Sequence, residues 1–130
     1  MPGRDGVVLD ASALIDLLQD PSGAGTRLQG LRFTAPALIF PETASAFRKG
    51  ELRGAIDAHE ARALYEAMLA VPIDVVDWRP TAARVWELRH TVTPYDASYV
   101  ALAELLEVPL VTADRRLASA PGLRCEVVLV

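Results

Sequence analysis

The sequence predicts an α/β fold in which a parallel sheet carries helices on both faces. Three observations carry that expectation. Short runs of β-forming residues alternate along the chain with stretches of helical spacing, and this alternation is the pattern that builds parallel sheets. The chain has 130 residues, enough for one domain with a sizeable core. Hydrophobic residues make up 52% and charged residues 23%, a balance that favours folding over disorder.

Gly6 to Leu9 is a short apolar run and predicts the first strand. From Ala11 to Leu18 the spacing turns helical, with Leu14, Ile15 and Leu18 on one side. Asp20-Pro21-Ser22-Gly23 ends this helix. Arg32-Phe33-Thr34 predicts a second strand. Pro36 suits the first turn of a helix, where its missing N–H costs nothing, so a helix is expected from there to about Lys49. Pro41 then falls inside that helix and predicts a kink just before Glu42. Gly50 and Gly54 bracket a connection, and Ile56 to Leu69, rich in Ala, Glu and Arg, predicts the next helix.

Ile73-Asp74-Val75-Val76 predicts the third strand, and Thr81 to His90 a helix carrying Val85, Trp86 and Leu88. Thr93-Pro94-Tyr95-Asp96 has the residue types of a helix start: a capping Thr, Pro at the first helical position and an acid at the third, before Ala97 to Leu106. Pro109 to Thr112 predicts a fourth strand, Asp114 to Ser119 a short helix and Glu126 to Val130 the last strand. No repeat, low-complexity tract or linker interrupts the series, so residues 1–130 are expected to form a single domain.

The single cysteine, Cys125, has no internal partner, and no basic segment with a long apolar stretch opens the chain, which makes a reducing, cytoplasmic location the expectation. No apolar run approaches the ~18–20 residues of a membrane span. A net charge of −4 argues against a surface built for nonspecific nucleic-acid binding, which is normally basic, yet leaves room for an enzyme that acts on nucleic acid. Twelve of the 13 basic residues are Arg, Lys49 being the exception. That preference suits bidentate phosphate contacts, but biased base composition of the gene would produce it as well.

In open α/β sheets, ligands bind outside the carboxyl ends of the strands, where helix N-termini also point. Four acids fall at that edge: Asp10 after the first strand, Glu42 in the helix after the second, Asp96 at the capped helix start and Asp114 after the fourth strand. Singly, each reads as an ordinary helix cap or polar helix residue. Together, if the first and fourth strands are neighbours, they would repel one another unless a cation neutralised them. Oxygen-only ligands suit Mg²⁺ or Mn²⁺, which also take phosphate oxygens and can promote phosphodiester hydrolysis by an activated water. Ser12 and Thr112, each two residues from one of these acids, are candidates to orient a carboxylate or a water. Arg115 and Arg116 follow Asp114 and are candidates for a substrate phosphate, with at least one expected to be simply solvated.

The stretches "VVLDASALID", "PETASAF" and "TPYDASYVALAELLEVPLVTADRRL", at this spacing, resemble the PIN-domain family, and specifically the VapC toxins of bacterial toxin–antitoxin pairs. The resemblance covers nearly the whole chain and is most specific from Tyr95 to Leu117. It implies a three-layer α/β/α domain with a central, mainly parallel five-stranded sheet, often dimeric. It also implies an acidic cluster that binds Mg²⁺ or Mn²⁺ and cleaves single-stranded RNA, and a small antitoxin protein whose extended segment places a basic side chain at that cluster. By position it makes Asp10, Glu42, Asp96 and Asp114 the four motif acids, catalytic and metal-binding, with Ser12 and Thr112 as the accompanying hydroxyls. Ser45 stands where many relatives carry Asn, and Pro41 before Glu42 is unusual.

Rival readings fare worse. An aspartate-nucleophile phosphatase requires a second Asp where Ser12 stands, and a phosphoacceptor domain requires a late lysine, which the chain lacks. The remaining rival is a PIN fold kept only as a binding module. His59 and His90 are expected on helix surfaces without a role, Asp16, Asp74 and Asp77 outside the acidic cluster, and Tyr65, Trp78 and Trp86 in the core, with a dimer contact as the alternative place for these three rings. Which RNA is cut, whether one ion or two act, and which carboxylate serves as base do not follow from the residues.

Overall fold

Parallel strands need crossover helices, so their central members are covered on both faces and read as unbroken apolar runs. The computed structural model, which describes residues 6–130, follows this logic. Five short strands, β1 (Gly6–Leu9), β2 (Arg32–Pro36), β3 (Ile73–Val76), β4 (Leu110–Thr112) and β5 (Val127–Leu129), form one sheet in the order β3-β2-β1-β4-β5. Every neighbouring pair is parallel. The two strands richest in buried residues, β1 and β4, lie side by side in the middle, with Val7, Val8, Leu9, Leu110 and Val111 buried.

Seven helices connect and cover the strands: α1 (Ala11–Gln19), α2 (Ala24–Arg27), α3 (Ile39–Leu52), α4 (Ala58–Ala70), α5 (Ala82–Glu87), α6 (Pro94–Leu106) and α7 (Arg115–Ala118). The chain steps outward from β1 to β2 to β3, then returns to place β4 on the far side of β1. Right-handed crossovers in opposite directions put the connecting helices on opposite faces. Accordingly α1 packs with α3 and α4, while α6 packs with α5 and lies against β1, β2 and β4. Residues Ala97 to Ala103 of α6 are all buried, which explains why that helix has little polar face. The strand order reverses between β1 and β4, and the crevice for a ligand is therefore expected at their carboxyl ends.

The proline expectations need correction. Pro36 is the buried last residue of β2, pairing with Val76, rather than a helix start, and the end of a strand is where a missing N–H is tolerated. Helix α3 begins three residues later, so Pro41 falls in its first turn, where the backbone donor would have no intrahelical acceptor. The expected kink is absent: the Glu42 N–H reaches the Leu38 carbonyl at 3.1 Å and closes the first turn normally. The expected helix from Thr81 to His90 is a 3₁₀ turn at Arg79–Thr81 followed by the shorter α5. Helix α2 had no counterpart in the sequence reading.

Tyr65, Trp78 and Trp86 are also not core residues, being 45%, 43% and 65% exposed. In α5 and at its C-terminal cap the inward positions belong to Val85 and Leu88, which turns Trp86 out to solvent. There the Arg89 guanidinium covers its ring at 4.6 Å. Trp78 follows the edge strand β3, where no neighbouring strand covers it. Both histidines are exposed, as expected.

Leu110 is fully buried in the strand that joins β1 to β5. Leu110→Ala should therefore destabilise the fold by about 2–5 kcal/mol, read as a lower midpoint of urea unfolding.

Candidate active site

The end of β1 places Asp10 under the start of α1, where its side chain caps the helix by accepting the Ala13 N–H at 2.9 Å. A cap alone would leave the carboxylate facing solvent, but Asp10 is only 4% exposed. Two hydroxyls compensate. Ser12 Oγ donates to Oδ1 at 2.7 Å, and Thr112 Oγ1, arriving from the end of β4, donates to Oδ2 at 2.5 Å. Each hydroxyl has one proton and gives it to Asp10, so the 3.2 Å approach of Ser12 Oγ to Thr112 Oγ1 is a contact between acceptors. Their lone pairs are used in turn: the Ala113 N–H donates to Ser12 at 2.9 Å and the Asp114 N–H to Thr112 at 3.0 Å. This network joins the carboxyl ends of β1 and β4 and sets the backbone direction that carries Asp114 into the cleft.

Asp114 caps the short α7 by accepting the Arg116 N–H at 2.9 Å. Asp96 lies in the first turn of α6, whose cap Thr93 accepts the Asp96 N–H at 3.2 Å. Glu42, in the first turn of α3, is held by Tyr99 of α6, whose phenol donates to Oε1 at 2.5 Å. Tyr99 is 1% exposed, and burial pushes its hydroxyl well above the ordinary range, so it stays a neutral donor. It was not among the residues singled out from the sequence. The available signal was its spacing, three residues after Asp96 and hence on the same side of the helix.

Electrostatics show that the acids face one another. Asp10 is held above the ordinary Asp range by burial, opposed by the Thr112, Ser12 and Ala13 hydrogen bonds and reinforced by the charge of Asp114. Burial likewise raises Glu42, opposed by Tyr99 and reinforced by Asp96 and Asp10. Asp96 is raised by burial and by the charges of Asp10 and Asp114, and lowered by Arg116 and Thr93. Among the described residues, no three His, Cys, Asp or Glu side chains already stand in metal-ligand geometry. The chemistry of the donor set nonetheless fits a hard cation: the four acids present only oxygen, and three of them are held in a repulsion that a cation would relieve.

Asp96, Asp114 and Arg116 line one cleft of ≈ 730 Å³ together with Arg89 and His90. Arg115 is exposed and does not line it. Asp74 and Asp77 lie apart, in surface ion pairs with Arg32 at 3.5 Å and Arg79 at 2.7 Å. Cys125 is half-buried, and its thiol, pushed up to about 11 by burial, is no nucleophile at neutral pH.

A model of the PIN domain matches residues 7–123. The chain belongs to the PIN-domain family. Among relatives of this PIN protein, ribonuclease VapC1 of Mycobacterium tuberculosis is 42% identical over 97% of this chain and 98% of the relative. Ribonuclease VapC12 of the same organism is 41% identical over 95% and 98%. The crystal structure of PAE2754 from Pyrobaculum aerophilum superposes with a TM-score of 0.67 at 26% identity, covering 88% of this chain and 84% of that one. VapBC2 from Rickettsia felis, bound to a DNA fragment from its promoter, shares the fold at 13% identity, with a TM-score of 0.69 over 94% and 98%. The five-stranded parallel sheet flanked by helices is thus the PIN fold, as the motifs implied.

Two consequences can be measured. Thr112→Val keeps the shape but removes a donor to a buried carboxylate and the acceptor of the Asp114 N–H; it should cost about 1–3 kcal/mol of stability in urea unfolding. Asp96 has a folded pKa raised above its unfolded one, so its ionisation opposes folding as pH rises past the unfolded value, and fully so above the raised one. In EDTA, Asp96→Asn should unfold at higher urea than wild type at pH 7, and this gain should shrink as pH falls through the raised pKa.

Proposed function

We propose that the protein is a metal-dependent endoribonuclease, the toxin of a toxin–antitoxin pair, which hydrolyses single-stranded RNA at the acidic cluster. The observation that carries this reading is the convergence of Asp10, Glu42, Asp96 and Asp114 at the carboxyl ends of β1 and β4, where burial, and then the charges of the neighbouring acids, raises Asp10, Glu42 and Asp96. The likeness to ribonucleases VapC1 and VapC12 over nearly the whole chain supports it.

These four carboxylates would hold Mg²⁺ or Mn²⁺, which when bound supplies charge neutralisation at the phosphate and activation of a water. The remaining work falls to the chain itself. Ser12 and Thr112 fix Asp10 by donating to both of its oxygens and favour its ionised form against the burial that raises it. Tyr99 fixes Glu42 in the same way. Arg116, exposed beside Asp96 and Asp114, offers its guanidinium to a phosphate of the strand. No side chain is placed as a covalent nucleophile. With a net charge of −4 the surface does not attract RNA from a distance, so selectivity rests on the cleft and on RNA shape.

A small antitoxin protein with a basic segment is the partner that the acidic cluster suits, by charge complementarity. Solved structures of this fold include a toxin–antitoxin complex from Klebsiella pneumoniae and VapBC-5 from Mycobacterium tuberculosis. A homodimer is the assembly state proposed, with the exposed Leu52, Tyr65 and Leu69 as apolar surface for it to cover.

Antitoxin-free protein should cut a cellular RNA pool at discrete positions with Mg²⁺ or Mn²⁺ and not with EDTA, while Asp96→Asn should lose cleavage at least a hundredfold and stay folded. Mg²⁺ should also raise the thermal midpoint of the wild type more than that of Asp96→Asn. Wild-type protein that cuts nothing and gains no stability from Mg²⁺ would instead be a PIN-fold binding module.

A further inference from the structure

Next to the cleft that Asp96 lines, and sharing Pro94 with it, lies a second groove of ≈ 440 Å³ whose walls include Pro36, Val76, Trp78, Pro94 and Tyr95. Trp78 and Tyr95 are 43% and 61% exposed, costly positions for large rings that complete no core. The indole is nevertheless fixed: Nε1–H of Trp78 donates to Ser98 Oγ at 2.8 Å, and Ser98 Oγ donates to the Pro94 carbonyl at 2.7 Å. The ring is thereby anchored to the first turn of α6, the same turn that carries Asp96. Asp77, the charged residue at the rim, is bound by the Arg79 guanidinium at 2.7 and 3.0 Å. The groove therefore presents flat apolar surface rather than free charge.

We propose that this groove seats an unpaired base of the RNA strand, stacked against Trp78 and Tyr95. The inference rests on the ribonuclease reading and adds to it where a base is held. Its support is continuity with the cleft. Pro94 belongs to both depressions, Tyr95 immediately precedes Asp96, and the adjoining cleft is lined by Arg89 and Arg116. A strand that runs from the cleft into the groove meets cations in the one and aromatic faces in the other. Its bases are the part of it with apolar faces. Stacking tolerates every base, so the seat fixes the position of the strand more than its sequence.

The test is the affinity of fluorescein-labelled RNA for the Asp96→Asn protein in EDTA, read by anisotropy, comparing a short oligoadenylate with an abasic ribose-phosphate strand of equal length. Adding Trp78→Ala or Tyr95→Ala should weaken the oligoadenylate about tenfold and leave the abasic strand unchanged, while Trp78→Phe retains most of the affinity. In proteins with Asp96 intact, Trp78→Ala should raise KM for cleavage with little change in kcat. Tyr95 is exposed, so its variant answers the question even if Trp78→Ala unfolds. Equal binding of both strands, or unchanged oligoadenylate affinity in folded variants of a protein that does cleave RNA, overturns the inference and leaves the nuclease standing. Loss of antitoxin-peptide binding instead of RNA binding overturns it in favour of a peptide seat. Wild-type protein that cuts no RNA overturns both readings together.

Discussion

The buried carboxylate of Asp10 is the constraint around which the active end of this protein is built. An ionised group with 4% exposure must be hydrogen-bonded or it becomes neutral, and Asp10 has three donors from three positions: Ala13, Ser12 and Thr112. One of these lies 102 residues away along the chain. A helix cap, a helix-start serine and a strand threonine thus become one unit, and that unit holds β1 and β4 in register where the strand order reverses. The Asp114 N–H closes on Thr112, so the fourth acid is oriented by the same network.

The rest of the site is a balance between burial, which pushes carboxyl groups toward neutrality, and donors that keep them charged. Tyr99 does for Glu42 what the two hydroxyls do for Asp10, while Arg116 lowers Asp96 only through its charge. Mutual repulsion among the acids remains as a smaller contribution beside burial. Stability given up here is supplied by the packing behind it, where α6 is buried along seven consecutive residues between the sheet and α5.

Most strands and the longer helices were legible in the sequence because their signals are local. The apolar runs of β1 and β4, the Thr93-Pro94-Tyr95-Asp96 helix start and the acids following β1 and β4 are each set by a few adjacent residues. The proline positions misled for the opposite reason. Whether Pro36 opens a helix or closes a strand depends on its partner Val76 across the sheet, and that pairing then moved the start of α3 and removed the expected kink at Pro41. The outward faces of Trp78, Trp86 and Tyr65 likewise depend on what does or does not pack beside them, and Tyr99 acquires its role only where α6 passes Glu42.

The sequence by itself determined the fold class and the family motifs, since residue type and short-range spacing are enough for those. Only the tertiary structure decided which hydroxyl serves which carboxylate, that Arg116 rather than Arg115 lines the cleft, and that two aromatic rings stand beside it. Hydrogen bonds and charge coupling act over a few ångströms, and the separations along the chain that they span are fixed by strand order and helix packing rather than by neighbouring residues.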